Sequence, residues 1–169
     1  MAMTHQHILL EKFTENDFED YVKLVTNFEV MKMITERSLS REEAQQDFAK
    51  ILIQNTLHPV LGTYKVISSA NTFLGFAKLE IQRSNAIDAE LGYMLMPEHW
   101  GKGLGTQIAE ELIQLARQNV QLQRLYAIID PKNSASRKIL IKQGFYSKDF
   151  KDFDGLDGEI LELNLKETA

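Results

Sequence analysis

The sequence lacks the residues on which disulfide chemistry and most metal chemistry depend. It contains no cysteine, which excludes disulfide bonds, zinc sites with thiolate ligands and a cysteine nucleophile. Its four histidines, His5, His7, His58 and His99, form neither an HExxH motif nor another metal-binding spacing. We therefore expect no metal in this protein.

Long apolar segments are also missing. No stretch approaches the roughly 18 apolar residues that a membrane-spanning helix needs. The first residues, MAMTHQHILLEKF, lack the apolar run of a signal peptide. These absences predict a cytoplasmic protein without a membrane partner. The net charge of −5 argues mildly against a nucleic-acid groove and mildly for a cationic partner.

The composition is that of an ordinary globular protein, with 44% hydrophobic and 25% charged residues. The chain shows no internal repeat, no low-complexity tract and no linker. At 169 residues it is long enough to bury a substantial core. We predict a single domain over residues 1–169, with its core at about residues 7–165.

Apolar periodicity and capping residues predict the elements of the first half. Residues 7–13 are predicted to form a strand, followed by a helix that Thr14 caps with Asp17 three positions later. A second helix begins at SREE, where Ser40 and Glu43 form a capping box. TYKVIS and TFLGFAKLEIQ are typical of a hairpin, and AELGYMLM of a third strand.

The second half alternates between helices and strands. Residues 104–118 form an amphipathic pattern, and QRLYAIID is predicted to be a strand buried on both faces. Asn133 caps a short helix, SASRKILIKQ, which ends at Gly144. DFDGLDG is a turn before the alternating strand EILELNL. The order predicts one α+β or α/β domain with a central mixed sheet.

Three glycines lie within five positions of WGKGLGT, directly before a predicted helix. A turn between a strand and a helix N-terminus binds phosphate, because free N–H groups and the helix dipole face the ligand. A Walker loop needs GxxxxGK[ST], which is absent. A GxGxxG fingerprint beginning at Gly101 fails because Thr106 is its sixth residue, although Asp130 after a later strand keeps a dinucleotide site open. The third interpretation is an exposed turn without a ligand.

The segments LGYMLMPEHWGKGLGTQIAEELIQLA and LYAIIDPKNSASRKILIKQGF together resemble the GCN5-related N-acetyltransferases (GNATs). Within them the chain is similar to the RimJ/RimL-type group, which includes ribosomal-protein-alanine N-acetyltransferases. The resemblance covers residues 7–165 and is strongest over 90–146. It implies a mixed, mostly antiparallel and splayed sheet flanked by helices.

The resemblance also implies transfer of an acetyl group from acetyl-coenzyme A to a primary amine. The leading acceptor is a protein or peptide N-terminal α-amine. The alternatives are a small-molecule amine, such as an amino acid, a polyamine or an aminoglycoside, and a non-catalytic acyl-coenzyme A sensor. A monomer and a homodimer are both compatible with the sequence.

Binding roles for the cosubstrate follow from the same resemblance. The backbone of Tyr93, Met94 and Leu95 would pair with the extended pantetheine arm. Asn133 would bond a pantetheine amide. The diphosphate would lie on the backbone amides of Gly101, Lys102, Gly103, Leu104, Gly105 and Thr106. Lys102 could add its charge and Thr106 its hydroxyl.

Ser136 is the candidate acid. In the resembled group a serine three residues after the asparagine protonates the departing thiolate. Other GNATs place a tyrosine where this chain has Leu140, and a glutamate where it has Ile128, so those two routes are not available here. The alternative is structural: Asn133 caps the helix, and Ser136 bonds back to the cap.

Glu90 is the candidate base or amine-binding group, since strand alternation puts its side chain on the face of Gly92 and Met94. Apolar neighbours there would raise the pKa of its carboxyl, as a base needs. An ordinary salt bridge is the alternative, and a water-mediated route is equally open. Glu80 and Asp88 are poorer candidates.

Residues 27–40 are expected to wall the acceptor site. Their apolar members are Phe28, Met31, Met33 and Ile34, whereas Glu29 and Glu36 could meet an amine. Trp100 is expected to pack beneath the glycine loop as a hydrophobic anchor.

Overall fold

A seven-stranded sheet forms the centre of the protein. The computed structural model describes residues 7–166. The strands are β1 (Ile8–Lys12), β2 (Gly62–Ser68), β3 (Phe73–Glu80), β4 (Asp88–Leu95), β5 (Arg124–Ile129), β6 (Tyr146–Phe153) and β7 (Leu156–Asn164). Their order across the sheet is β1-β2-β3-β4-β5-β7-β6, and every neighbouring pair is antiparallel except β4 and β5. The prediction of a mixed, mostly antiparallel sheet is confirmed.

The two parallel strands remain paired over only a short length. Asp88, Ala89 and Glu90 of β4 face Arg124, Leu125 and Tyr126 of β5. Beyond that register the two strands diverge, so the C-terminal halves of both have no neighbour on the facing edge. The sheet therefore splays in the middle and leaves a wedge between its two parts.

Within residues 7–166, five α-helices cover the two faces of the sheet. They are α1 (Phe18–Val25), α2 (Phe28–Met31), α3 (Arg41–Gln54), α4 (Leu104–Arg117) and α5 (Ser134–Lys142). The first three bury an aromatic cluster with Phe76 of β3, whereas α4 and α5 bury an aliphatic cluster with Leu79 and Leu91. Among residues 7–166 no helix is long and apolar enough to cross a membrane.

The predicted caps are present. Ser40 Oγ accepts a hydrogen bond from Glu43 N at 3.1 Å, and Glu43 Oε1 accepts one from Ser40 N at 3.0 Å. Asn133 Oδ1 accepts from Ser136 N at 3.2 Å, which begins α5. Gly144 follows α5 in the left-handed region, with φ +102°. Thr14 and Asp17 cap a single turn of 3-10 helix that leads into α1.

Three features differ from the expectations. Strand β6 was not predicted, because all but the last of its side chains are exposed at the sheet edge and its sequence, YSKDFKDF, lacks an apolar face. The short helix α2 was also not predicted. Strand β5 is not buried on both faces: Ile128 is 37% exposed, since the splay uncovers this part of the strand.

Asp17 is a buried carboxylate that joins α1 to the sheet. It accepts hydrogen bonds from Lys65 Nζ at 2.9 Å and from Thr14 N at 2.8 Å. Burial alone would raise the pKa of Asp17, but the bonds from Lys65 and Thr14 outweigh it and hold the pKa below its ordinary value. The carboxylate form therefore stabilises the fold.

We predict that Asp17→Ala lowers the free energy of unfolding at neutral pH by about 1–3 kcal/mol, because Lys65 Nζ and the N–H and hydroxyl of Thr14 lose their acceptor. A carboxyl group whose pKa is lower in the folded than in the unfolded state stabilises the fold at pH values above the unfolded pKa of about 3.9. This stabilisation is lost as the pH falls through the folded-state pKa. The difference from the wild type should therefore shrink below about pH 4. Asp20→Ala is the control, since its ion pair with Lys23 at 3.9 Å is exposed. Denaturant titration across pH checks this, and equal effects of the two variants would contradict it.

Candidate active site

The wedge between β4 and β5 is a cleft of about 690 Å³. Strands β4 and β5 form its sides, the first turns of α5 close one end, and α2 and the β6–β7 hairpin border the other. The structure brings these predicted site residues to its lining: Glu90, Tyr93, Met94, Leu95, Gly101, Asn133 and Ser136. The remaining predicted residues, 102–106, are not part of the lining; they follow Gly101 in the chain and lead into α4.

The three glycines of the loop have two separate physical reasons. Gly101 and Gly103 lie in the left-handed region, with φ +74° and +78°, where other residues are strained. Gly105 lies against α5: a Cβ there would be 3.1 Å from Ile139 Cδ1, a tight contact, and 3.4 Å from the ring of Tyr93, an ordinary van der Waals contact. Gly101 faces open space, with nothing within 4 Å of such a Cβ. The missing side chain of Gly105 therefore eases the packing of Ile139 of α5.

The N-terminus of α4 has free backbone donors. Its first internal hydrogen bond runs from Gln107 N to Gly103 O at 3.2 Å, so the amides of Leu104, Gly105 and Thr106 have no acceptor within the helix. No acidic residue lies in the first turn. An anion fits such a helix end. The Leu104 side chain itself is buried in the core, whereas Lys102 is exposed.

Two backbone carbonyls at the end of β4, those of Met94 and Leu95, are not available to a ligand in the cleft. A Cβ on Gly75 would lie 2.1 Å from Met94 O, so this carbonyl points to β3 and away from the cleft. Leu95 O accepts a hydrogen bond from Trp100 Nε1 at 2.9 Å. Trp100 is 45% exposed, so the expected hydrophobic anchor is wrong: the indole holds the loop through its N–H. Tyr93 is the remaining residue at this edge.

Asn133, Ser136 and Tyr93 meet at the end of the cleft. Asn133 Oδ1 is used by the cap to Ser136 N, so its Nδ2 group is the part left for a ligand. Ser136 lies beside the Tyr93 hydroxyl, which is buried and has no hydrogen bond of normal geometry with any of residues 7–166. Burial raises the pKa of the Tyr93 phenol, and Ser136 offsets part of that rise. The phenol is therefore protonated at neutral pH.

Glu90 is ion-paired rather than surrounded by apolar groups. Its Oε2 lies 3.1 Å from Lys78 Nζ, and both side chains are mostly buried. Lys78 lies over Gly92, since a Cβ there would be 2.9 Å from Lys78 Cε. The expected apolar environment of Glu90 is thus wrong, because Lys78, a diagonal neighbour on β3, supplies a cation. Asp88 is likewise paired, with Arg124 at 3.0 Å.

The ion pair between Arg137 and Glu159 was not predicted from the sequence. Arg137 Nε donates to both carboxylate oxygens of Glu159, at 3.0 and 3.2 Å, and Glu159 is 1% exposed. The pair joins the first turn of α5, which carries Ser136, to β7. The partners are 22 positions apart, so no local pattern could predict them. Asp130 Oδ1 accepts from Lys132 N at 2.8 Å and holds the turn before α5.

The segment expected to wall the acceptor site lines the cleft only in part. Met33, Ile34 and Glu29 line the cleft. Met31 does not: it is 3% exposed and belongs to the aromatic core cluster, because it lies on the inner side of α2. Phe28 and Glu36 are exposed and are also absent from the lining. The β6–β7 hairpin contributes residues that sequence reasoning missed, namely Phe153, Leu156, Asp157 and Gly158.

No group of three His, Asp or Glu residues in the described part of the chain could hold a metal ion. The groups that line the cleft include the Tyr93 and Ser136 hydroxyls, backbone amides, the ion-paired Glu90 and the further carboxylates of Glu29, Asp130 and Asp157. These groups can bind an extended acyl thioester, hold an amine and move a proton.

Comparison with known proteins matches residues 7–146 to the Acetyltransferase (GNAT) domain. The chain is 26% identical to an uncharacterized N-acetyltransferase of Bacillus licheniformis, over 96% of this chain and 86% of that protein. Among solved structures, a GNAT acetyltransferase from Bacillus anthracis has a TM-score of 0.79 at 19% identity, covering 99% of this chain and all of the other.

Two further solved structures contain coenzyme A. Spermidine N-acetyltransferase from Vibrio cholerae, in complex with coenzyme A and spermine, has a TM-score of 0.78 at 17% identity, with 94% and 95% of the two chains covered. RimL, a ribosomal α-N-protein acetyltransferase in complex with coenzyme A, has a TM-score of 0.78 at 15% identity, with 96% of each chain covered. The splayed sheet and the family match agree, and the chain belongs to the GNAT family of N-acetyltransferases.

Proposed function

We propose that this enzyme transfers the acetyl group of acetyl-coenzyme A to the N-terminal α-amine of a peptide or protein, as RimJ/RimL-type enzymes do. The observation that carries the proposal is the cleft where β4 and β5 part. It joins an unpaired strand edge, the glycine loop and the Asn133–Ser136 turn within one continuous space. We further propose a cytoplasmic enzyme acting as a monomer or homodimer, without a nucleic-acid or membrane partner.

The residues of the cleft fit the parts of coenzyme A in order. The first-turn amides of α4 and the neighbouring glycine loop, residues 101–106, fit a diphosphate, with Lys102 free to add its charge. The edge of β4 at residues 93–95 fits an extended arm that adds to the sheet. Because the carbonyls of Met94 and Leu95 are already engaged, Tyr93 is the main backbone partner of that arm. Asn133 Nδ2 fits an amide carbonyl.

The reaction requires two proton movements. Acetyl-coenzyme A supplies a thioester when bound, an amine must lose a proton to attack it, and the thiolate must gain one. In this proposal Ser136 gives its proton to the sulfur. The carboxylate of Glu90, which is paired with Lys78 on the sheet face toward α2, holds the acceptor ammonium or passes the proton of that ammonium to water.

The peptide acceptor is supported by the resemblance and by the similarity to RimL. The similarity to a spermidine N-acetyltransferase supports a small-molecule amine as the second candidate. Release of coenzyme A thiol, measured with a peptide carrying a free N-terminus, the same peptide N-acetylated, spermidine, an aminoglycoside and free amino acids, decides between them. A preference for spermidine over every peptide would overturn the first candidate, and no thiol release with any amine would favour a non-catalytic acyl-coenzyme A sensor.

We predict that Thr106→Glu lowers affinity for coenzyme A at least tenfold without lowering the melting temperature. A carboxylate in the first turn of α4 repels a diphosphate, yet it stabilises the helix itself by about 0.3–1 kcal/mol. Thr106→Gln is the matched control, because it has nearly the same shape and no charge. Isothermal titration with coenzyme A and thermal unfolding measure both effects. Equal affinities for the Glu and Gln variants would place the diphosphate elsewhere.

We predict that Ser136→Ala lowers kcat about tenfold to a thousandfold and changes the KM for acetyl-coenzyme A by less than about threefold, because the hydroxyl acts mainly in the transition state. A thiolate leaves readily, so the lower end of the range is expected. Ser134→Ala is the control, since Ser134 is exposed in the same turn and outside the cleft. Steady-state kinetics of both variants test this; wild-type kcat in Ser136→Ala would leave Ser136 with a capping role alone.

Met33 and Met31 form a natural matched pair for the acceptor wall. We predict that Met33→Ala raises the acceptor KM severalfold and leaves the melting temperature nearly unchanged, since each lost buried CH₂ contact is worth about 0.8 kcal/mol. Met31→Ala should instead lower the free energy of unfolding by about 2–5 kcal/mol, because it opens a core cavity. Two-substrate kinetics beside thermal unfolding separate the effects. Unaltered acceptor kinetics in Met33→Ala would remove residues 29–34 from the acceptor site.

A further inference from the structure

The hydroxyl of Tyr93 is an unexplained polar group in the cleft. It is buried, and none of residues 7–166 forms a hydrogen bond of normal geometry with it. A phenylalanine would fill the same space without leaving a polar atom unsatisfied. Buried polar groups without partners are rare in folded proteins, and such a group at a ligand site points to a role in the reaction.

The ring of Tyr93 is fixed by its surroundings. It packs against the aliphatic core and lies beside Gly105 in the first turn of α4, 3.4 Å from where a Cβ of that residue would be. Ile139 of α5 lies against the same glycine. Strand β4 and both helices thus hold the phenol beside Ser136, the residue proposed to carry the proton for the thiolate.

We propose that Tyr93 is a positioning residue for Ser136: when acetyl-coenzyme A is bound, the Tyr93 hydroxyl donates a hydrogen bond to Ser136 Oγ and turns the serine proton toward the sulfur. The inference rests on the proposed function of Ser136. The phenol near the leaving group would then come from β4. In other GNATs the tyrosine lies at the α5 position that Leu140 occupies in this chain.

The proton balance is simple. Ser136 gives its proton to the thiolate as the C–S bond breaks, and the developing charge on Oγ is stabilised by the Tyr93 O–H. The proton that the attacking amine loses returns to Ser136 through solvent, so both hydroxyls end the cycle neutral. Burial of the phenol keeps it protonated at neutral pH, which suits a donor and excludes a base.

The test is a double-mutant cycle of Tyr93→Phe and Ser136→Ala. Tyr93→Phe should lower kcat about tenfold, change the KM for acetyl-coenzyme A by less than twofold, and have no further effect on kcat in the Ser136→Ala background. The free protein supplies a readout independent of activity: Tyr93→Phe should not lower the melting temperature, because no hydrogen bond is lost. Tyr64→Phe is the control, since the Tyr64 hydroxyl is buried outside the cleft and donates to Val60 O. That variant should lose stability and keep kcat.

The contrary outcomes are distinct. Wild-type kcat in Tyr93→Phe, or losses that simply add in the double variant, would overturn the positioning role. If Tyr93→Phe lowers both the melting temperature and kcat and also raises KM, the role of the phenol is structural. If Ser136→Ala has the kcat of the wild type, the proposed role of Ser136 is wrong, whatever the effect of Tyr93→Phe.

Discussion

The parallel pairing of β4 with β5 ends after three residues, and the rest of the site depends on that interruption. Two strands that continued in register would satisfy each other's backbone and fill the wedge with side chains. Because they part after Glu90, one strand edge remains free and the cleft opens beside it. The same interruption explains why Ile128 is exposed on a strand whose sequence is almost wholly apolar.

The elements around the wedge are held by contacts that keep it open and shaped. The Arg137–Glu159 pair ties the start of α5 to β7, and the Gly105 contact lets α4 approach α5 closely. Trp100 fixes the loop to the last residue of β4 through one hydrogen bond. These contacts place free helix amides, a capped serine turn and a strand edge around one space, which is the arrangement needed to grip an extended anionic thioester.

The charged and the neutral groups proposed for the reaction lie in different parts of the cleft. Glu90 lies on the face of the sheet toward α2 and is paired with Lys78. Ser136 and Tyr93 lie toward α4 and α5 and carry neutral hydroxyls. In the reaction that we propose, the amine meets the carboxylate of Glu90 and the leaving group meets the hydroxyls.

Local chemistry made much of this protein predictable. The capping boxes, the glycine after α5 and the alternating strands β2, β3, β4 and β7 are determined by neighbouring residues, and they were predicted correctly. The glycine loop and the Asn133–Ser136 turn were also identified from the sequence. Strand β6 was missed because it lies at an edge and gains its structure from pairing with β7, which leaves no apolar periodicity to detect.

The tertiary structure decided what each residue faces. Sequence alone could not separate Met31 from Met33, since only the orientation of α2 buries one in the core and presents the other to the cleft. It assigned Glu90 an apolar setting because Lys78 comes from a different strand, and it attributed all three glycines to a ligand, whereas Gly105 lies against Ile139 of α5. Residue identity and spacing thus determined the chemistry that the chain carries. The register and divergence of its strands, set by contacts between distant residues, determined which of those groups meet.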